Sequence, residues 1–401
     1  MDLYHGSLYW PTTIKETPSY PPLTDNRICD VLVIGGGMSG ALLTYKLAQE
    51  SLDIVLVDRN KIGHGSTSAN TGLLQYSNDK MMHSFARSIG ENNAVRFYQL
   101  CLEGMRELKK VANSLSKPVQ WKDRKSLYYA SKSSDVPSLQ KEYDMLRKYQ
   151  FPVEYLKDEE IQKAYQFKKP AAIRTNGDAE INPLLFVTTL VRDAVLHQNV
   201  KVYENTKVTV GQRENDYWQI NTNTGFKLQA KHVIYATGYQ MDEFPKRKIA
   251  DIKRTYAIVT NPISNFTNWK DRSLIWETKR PYFYMRTTFD GRIIAGGLDE
   301  EKVEAPKNHQ VINSYGERLL KRVKEHVPFD ELKVEYVYGA TFGESEDGIP
   351  YIGEHPKKKN IYYCLGLGGN GTVYSSFGST IIRDLIIKGY HPDADLVRMD
   401  R

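Results

Sequence analysis

Three glycines near the start of the chain have the spacing of a phosphate-binding turn. Gly35, Gly37 and Gly40 form G-x-G-x-x-G directly after the apolar run VLVI and before a segment with helical character. At a helix start, unpaired backbone N–H groups and the positive end of the helix dipole favour a pyrophosphate, and glycines let it approach. We therefore expect this turn, with Met38 and Ser39 in the first helical turn, to contact a cofactor, although an ordinary tight turn has the same pattern.

A carboxylate stands at the place where a dinucleotide site needs one. The second apolar strand, DIVLVD, ends at Asp58, which lies 18 residues after Gly40 (58 − 40 = 18). At this spacing an acid accepts hydrogen bonds from ribose hydroxyls. Glycine turn, helix, strand and acid together predict a dinucleotide site that includes Asp58 and Arg59; the alternative is that Asp58 ends a strand in solvent.

Three later segments favour FAD over NAD. The loop IGHGSTSANTGLLQY offers hydroxyl and backbone donors, the apolar strand from Val233 ends in Ala-Thr-Gly, and CLGLGGNGT precedes a predicted helix whose positive end suits a reduced flavin. No lysine follows these last glycines, so a P-loop is excluded. With Val208, the predicted cofactor contacts in this part of the chain are Ser66, Thr67, Ser68, Gly72, Leu73, Ala236, Thr237, Gly238, Gly366, Gly368, Gly369, Asn370, Gly371 and Thr372.

The amino-acid composition limits the kinds of protein and partner to be considered. The 401 residues are 40% hydrophobic and 26% charged, which is typical of a folded protein with two structural units around a large core. The net charge of +7 is scattered, so we expect no nucleic-acid partner. Three distant cysteines indicate neither a disulfide framework nor a metal site, and without a long apolar run or a signal peptide we expect a cytoplasmic protein with no integral membrane segment.

The order of these segments resembles the D-amino-acid-oxidase-like superfamily, which includes glycine, sarcosine and gamma-glutamylputrescine oxidases. The similarity extends from Asp30 over nearly the whole chain and is strongest in YFYMRTTFDGRIIAGG and DGIPYIG. It implies an α/β fold with a Rossmann-like FAD-binding domain and a substrate domain on a largely antiparallel sheet. The implied division is an N-terminal arm (1–24), an FAD-binding domain (25–90, 180–240 and 335–401) and a substrate domain (91–179 and 241–334).

The resemblance also implies the chemistry. Such enzymes oxidise a C–N bond of a small amine or amino acid by hydride transfer to flavin N5, and oxygen or another acceptor then reoxidises the flavin. Ala69 and Ala340 stand where relatives carry a flavin-linked histidine or cysteine, so we expect non-covalent FAD. The lysine that activates oxygen in sarcosine oxidases is replaced near Ile293, which leaves the acceptor open.

The substrate-binding residues of the relatives are not retained. Thr341 and Gly369 stand where glycine oxidase has arginines, and Val373 where sarcosine oxidases offer a lysine. These departures favour an amine, or an amino acid that is held differently.

Three side chains of one strand are the best substrate-pocket candidates in this chain. Alternation places Tyr282, Tyr284 and Arg286 on one face, from which Arg286 could grip a carboxylate or phosphate in a bidentate manner; the alternative is a surface arginine between core tyrosines. Gln75 and Tyr256 are weaker candidates, because ordinary packing explains them equally well.

Three other functions stay open. The first is oxidation of a hydroxy acid or polyol phosphate, the second is a non-catalytic, FAD-stabilised assembly protein, and the third is an NAD-dependent dehydrogenase. His64, a lone histidine beside the glycine loop, suggests no base. The arm and the GSTSANTG loop also resemble oxidoreductases with an added Rieske domain, but the C-x-H and C-x-x-H spacing of that iron–sulfur centre is absent.

Overall fold

The computed structural model describes residues 3–209, 211–239, 250–267, 269–327, 329 and 331–401. The strands are β1 (Tyr4–Gly6), β2 (Arg27–Ile34), β3 (Ile54–Val57), β4 (Leu73–Leu74), β5 (Lys122–Tyr129), β6 (Val153–Lys157), β7 (Ala171–Glu180), β8 (Val200–Tyr203), β9 (Gln212–Glu214), β10 (Tyr217–Asn221), β11 (Lys227–Tyr235), β12 (Asp251–Thr260), β13 (Leu274–Glu277), β14 (Phe283–Thr287), β15 (Ile293–Glu300), β16 (Val334–Glu344), β17 (Tyr351–His355) and β18 (Lys358–Leu365). The α-helices are α1 (Met38–Leu47), α2 (Ser66–Ala69), α3 (Met82–Ile89), α4 (Glu91–Ser114), α5 (Val136–Lys148), α6 (Asp158–Tyr165), α7 (Pro183–Val195), α8 (His309–His326), α9 (Gly371–Lys388) and α10 (Ala394–Val397).

The first sheet has a parallel core. Its strands lie in the order β17-β18-β11-β2-β3-β8, with every neighbour parallel except β17, and the β9–β10 meander extends from β11. All four residues of β3 are buried, as expected for a strand covered on both faces. The predicted Rossmann-like β–α–β unit is confirmed.

The second sheet is largely antiparallel, which is also as predicted. It has the order β1-β16-β12-β15-β14-β13-β5-β7-β4, with β6 on β7, and β5–β13 is the parallel pair among its described neighbours. The N-terminal arm contributes its edge strand, because Tyr4 of β1 pairs with Ala340 of β16. The arm is therefore part of the second sheet as well as a segment lying on the body.

One predicted boundary is wrong. Residues 335–344 were assigned to the FAD-binding domain, but β16 continues the second sheet by pairing with β12 from Asp251 to Thr260. The last segment of the first sheet begins at β17 instead. The short strand β4 likewise pairs with β7 of the second sheet, inside the range 25–90. The division into cofactor and substrate domains otherwise stays a prediction.

Helices fill the space around the first sheet. Helix α1 packs against α7 and α9, and α9 also packs against α4. The Asn182 side chain caps α7, since its Oδ1 accepts a hydrogen bond from Leu185 N at 3.0 Å. Across the described ranges, no helix has the length and apolar character needed to cross a membrane. Nor do three His, Cys, Asp or Glu side chains come together there as metal ligands.

The glycine turn between β2 and α1 is packed more tightly than any side chain would allow. A Cβ on Gly40 would lie 1.8 Å from Gly35 O, and one on Gly35, whose φ is +105°, would lie 2.6 Å from Ala236 O. In contrast, a Cβ on Gly37 would meet Thr67 Oγ1 at an ordinary 3.5 Å. The outer glycines thus hold α1 against the strand ends, while the middle position has room for a methyl group.

This difference predicts opposite results for two alanine variants. In the flavin-free protein, Gly40→Ala should lower the free energy of unfolding by about 1–3 kcal/mol or more through overpacking. Gly37→Ala should cost less than about 1 kcal/mol, because its new methyl group fits. Thermal unfolding followed by circular dichroism compares them; equal midpoints for the two variants would contradict this account of the turn.

Candidate functional site

A cavity of about 710 Å³ lies between the two sheets. Its floor is formed by the carboxyl ends of β2, β3 and β11, at Ile34, Val57 and Tyr235. Open parallel sheets bind ligands at this edge. The opposite wall comes from the second sheet, so one space connects the dinucleotide turn with that sheet.

Two helix starts open into this cavity. Gly35, Gly37, Met38 and Ser39 line it at α1, and the segment before α9 lines it with Gly366, Gly368, Gly369, Asn370, Gly371 and Thr372. The first N–H groups of a helix have no partner within the helix, so both ends offer donors to an anion. A hydrogen bond between Ser39 Oγ and Ser375 Oγ, 2.7 Å long, joins the two helices.

Asp58 lies at the predicted place and also shapes the turn. Its Oδ2 accepts a hydrogen bond from Gly36 N at 2.7 Å, and Oδ1 accepts one from Asn60 N at 2.7 Å. Burial raises the pKa of this carboxyl, while the two backbone bonds oppose the rise. Asp58 and Arg59 line the cavity, and the carboxylate oxygens keep lone pairs for ribose hydroxyls.

Most of the remaining predicted cofactor contacts also line the cavity: Ser66, Thr67, Leu73, Val208, Ala236, Thr237 and Gly238. Three do not. Ser68 is buried and donates its hydroxyl to Gly63 O at 2.8 Å, whereas Gly40 is packed beneath the turn. Gly72, with φ +73°, is required because a Cβ there would lie 2.4 Å from Ile181 O. These three residues support the cavity from behind rather than line it.

The residues present fit a flavin dinucleotide. Among the described residues, no atom lies within 4 Å of a Cβ on Gly238, and one on Gly37 would meet Thr67 Oγ1 at an ordinary 3.5 Å, so the described part of the chain crowds neither glycine. The donor set around that space consists of backbone N–H groups, the hydroxyls of Ser66 and Thr67 and the carboxylate of Asp58, which suits phosphates and ribose. Ala69 and Ala340 also line the cavity and carry no atom for a covalent flavin link.

Aromatic side chains form much of the second-sheet wall. Tyr282 and Tyr284 line the cavity with ring centroids 5.6 Å apart, and Trp276 lies on the adjacent strand β13. Burial raises the pKa values of both tyrosines, so their hydroxyls stay protonated at neutral pH. Gln75 also lines the cavity, with Nε2 held by Ser126 Oγ at 3.1 Å.

Arg286 is not a substrate-binding residue in this structure. Its side chain is 2% exposed and lies behind the cavity wall, where Nε donates to Thr71 O at 2.7 Å and Nη2 to Ile181 O at 2.9 Å. Nη1 donates to Thr287 O at 2.9 Å. The prediction that Arg286 grips substrate is wrong because backbone carbonyls use every arm of the guanidinium. Arg286 instead fixes the segment at Thr71, which lines the cavity.

The other residues considered from the sequence also fall into two groups, those that line the cavity and those that are buried outside it. Tyr256 is fully buried outside the cavity, stacked on Tyr315 at 3.8 Å with its hydroxyl on Glu300 at 2.7 Å. His64 and Thr341 line the cavity, and the His64 ring lies 5.9 Å from that of Tyr4. Val373 and Ile293 are buried away from it.

Sequence reasoning missed two parts of the site. The arm brings Leu3, Tyr4 and His5 to the cavity through the β1–β16 pairing, which no local pattern signals. Asp79 lines the cavity as well. It lies in the polar loop after β4, and this position was the sequence feature that could have identified it as a site residue. Gly369 N–H donates to its carboxylate, and a Cβ on Gly369 would lie 2.5 Å from Asp79 Oδ2.

A second carboxyl group lies behind the wall next to Asp79. Asp299 of β15 is hydrogen-bonded to Thr255, which lines the cavity, and its buried Oδ1 has no hydrogen-bond partner among the described residues. Burial raises the pKa of Asp299 to about 7, and the negative charges of Asp79 and Glu344 add to the rise. Burial also raises the pKa of Asp79. Two carboxyl groups, those of Asp79 and Asp299, therefore lie at this end of the cavity.

Replacing Arg286 separates a structural role from a binding role. Arg286→Met leaves the carbonyl oxygens of Thr71, Ile181 and Thr287 without donors, so we expect a loss of about 3–5 kcal/mol of unfolding free energy. Arg286→Lys should also destabilise, because an ammonium cannot reproduce the planar fork. Urea unfolding measures both. A variant that is as stable as the wild-type chain but binds substrate more weakly would show that Arg286 binds substrate after all.

The raised pKa of Asp299 predicts a pH-dependent effect on stability. Between its ordinary pKa of 3.8 and about 7, the folded state holds a proton that the unfolded state has lost, so this group makes stability fall as pH rises. Asp299→Asn removes this pH-dependent loss of stability. The Tm of the variant minus the Tm of the wild-type chain should therefore be several degrees larger at pH 8 than at pH 5. The surface variant Asp123→Asn, from an ion pair with Lys109, should gain nothing. A pH-independent difference for Asp299→Asn would contradict the assignment.

Comparison with known proteins agrees with this geometry. Residues 30–385 match the DAO family of FAD-dependent oxidoreductases. The chain is 21% identical to the putative Rieske 2Fe-2S iron-sulfur protein YhfW of Bacillus subtilis (strain 168), over 96% of this chain and 73% of that protein. It is 23% identical to the gamma-glutamylputrescine oxidoreductase of Escherichia coli (strain K12), over 95% of this chain and 89% of the enzyme.

The fold has a close structural counterpart. The crystal structure of glycine oxidase from Geobacillus kaustophilus superposes with a TM-score of 0.78 at 18% identity, covering 94% of this chain and all (100%) of that one. This likeness concerns the fold, and the family match covers most of the chain. The chain belongs to the DAO family of FAD-dependent oxidoreductases, and FAD is its cofactor.

Proposed function

We propose that this flavoprotein oxidises a carbon–nitrogen bond of a small amine or amino acid. One observation carries the proposal: a single cavity is lined both by the two glycine-rich helix starts and by the aromatic wall of the second sheet. FAD bound in this cavity would supply the acceptor for a hydride from the carbon next to nitrogen, and oxygen or another carrier would take up the electrons. Relatives named as acting on amines or amino acids, glycine oxidase and dimethylglycine dehydrogenase among them, support the same reaction class.

The chain's own residues have three tasks in this proposal. The first turns of α1 and α9 hold the phosphates and the flavin edge with backbone donors, and Asp58 orients a ribose. Tyr282, Tyr284 and Trp276 confine the substrate and keep water away from the reacting carbon. The wall tyrosines stay protonated at neutral pH, so they do not act as bases in this proposal.

The test is an anaerobic visible spectrum of the purified holoprotein. We expect the flavin bands to bleach when pools of primary amines, N-methyl amines or amino acids are added, and dithionite afterwards controls for flavin that can be reduced. Bleaching by hydroxy acids alone would replace the proposal with oxidation of a hydroxyl group. Bands that dithionite bleaches but no pool does would contradict catalysis and favour a non-catalytic, FAD-stabilised assembly protein.

A further inference from the structure

The two ends of the cavity differ in charge. Among the described residues, the Asp, Glu, Lys and Arg side chains that line it are Asp58, Arg59, Lys207 and Asp79. Arg59 and Lys207 follow β3 and β8 at one edge of the first sheet. Asp79 lies instead at Gly369, after β18, which is three strand spacings from β3, or roughly 14 Å. Among the described lining residues, the cations therefore lie at the dinucleotide end, and the end at Asp79 holds a carboxylate without a lysine or arginine.

The charge of Asp79 is only partly compensated by its neighbours. Arg280 is the nearest cation, but its Nη2 donates to the backbone O of Asp79 at 2.9 Å and Nη1 to Glu277 O at 3.1 Å. No ion pair within the described part of the chain involves the Asp79 carboxylate. Lys253, which faces the same region, is paired with Glu344 at 2.8 Å. A partly buried carboxylate without an ion-pair partner favours a ligand that supplies positive charge.

The surrounding groups suit a cation and disfavour an anion. Tyr282, Tyr284 and Trp276 present aromatic side chains to the cavity, and ammonium groups are attracted to aromatic faces. Asp299, behind Thr255, adds a second carboxyl group whose Oδ1 has no partner. A substrate carboxylate at this end would face the Asp79 carboxylate, and none of the described residues that line this end is an arginine or lysine to offset the repulsion.

We infer that the second-sheet end of the cavity binds a cationic amine that carries no carboxylate, with Asp79 as its counter-ion. This rests on the proposed function and narrows its substrate from amines and amino acids to amines alone. Asp79 also suits the step before oxidation, in which the ammonium must give up a proton so that its nitrogen lone pair is free. That proton passes from the substrate nitrogen to a carboxylate oxygen of Asp79, and the raised pKa of this group makes it a suitable acceptor.

Equilibrium binding to the oxidised holoprotein tests the counter-ion without turnover. Tetramethylammonium, which has no lone pair and cannot be oxidised by this route, should perturb the visible flavin spectrum with saturation, whereas acetate should not. Asp79→Asn should raise the Kd of the cation at least about tenfold, the loss of a charged interaction. The charge-matched variant Asp123→Asn, on the surface, should leave that Kd unchanged. Acetate binding as tight as that of the cation, or an unchanged Kd in Asp79→Asn, would overturn the inference.

Flavin reduction by matched substrate pairs separates this inference from the proposed function. Each pair consists of an amino acid and the amine left when its carboxylate is replaced by hydrogen, such as sarcosine and dimethylamine. We expect the amines to reduce the flavin faster, and Asp79→Asn to lower that preference. Faster reduction by the amino acids would overturn the inference and leave the proposed function standing. Asp79-dependent cation binding without reduction by any amine would support the subsite and contradict the proposed oxidation.

Flavin content and circular dichroism control for folding of the variants. If Asp79→Asn does not retain flavin, Asp79→Glu keeps the charge and displaces it by one methylene group. It should then bind the cation more weakly than the wild-type chain but more tightly than it binds acetate. An equal affinity for the two ions in Asp79→Glu would again overturn the inference.

Discussion

Unpaired backbone N–H groups at two helix starts are the constraint on which the rest of the structure depends. Helices α1 and α9 are far apart in sequence, yet both begin at the same cavity and are joined by the Ser39–Ser375 hydrogen bond. Donors of this kind need an anion or water, and glycines must precede them so that the backbone can be approached. The close contact of Gly35 with Gly40 therefore holds the start of α1 at the cofactor site.

The second sheet closes the dinucleotide site on the side opposite the helix starts. It supplies a wall of aromatic side chains opposite the helix starts, and its edge is completed by the N-terminal strand β1. Behind that wall, the Arg286 guanidinium donates hydrogen bonds to the carbonyls of Thr71, Ile181 and Thr287. The bond to Thr71 fixes the loop between α2 and β4. The carboxyl groups of Asp79 and Asp299 lie in the same region, and there we propose that they favour a cationic substrate.

The sequence predicted the parts of the site that depend on local backbone geometry. A glycine turn between a strand and a helix has a fixed spacing, so Gly35, Gly37 and Asp58 could be located from their positions alone. Alternation likewise placed Tyr282 and Tyr284 correctly on the cavity face. These predictions succeeded because each depends on neighbours within one or two elements.

The predictions that failed depend on contacts between distant segments. Arg286 shares the alternation of the two tyrosines, but whether its guanidinium reaches the cavity depends on Thr71 and Ile181, far away in sequence. Ser68 stands in a polar loop and turns its hydroxyl inward to Gly63 O. Asp79 was overlooked because its importance comes from Gly369, which follows it by 290 residues (369 − 79 = 290). Long-range packing of this kind leaves no periodic signal in one sequence.

We expect the space between the two sheets to hold one FAD without a covalent bond. Acid precipitation of the purified protein, followed by chromatography and absorbance of the supernatant, measures whether the flavin is released. One equivalent of released FAD per chain and a colourless pellet are expected. A yellow pellet would contradict the non-covalent site at Ala69 and Ala340, and a supernatant with nicotinamide dinucleotide instead of flavin would contradict the cofactor assignment itself.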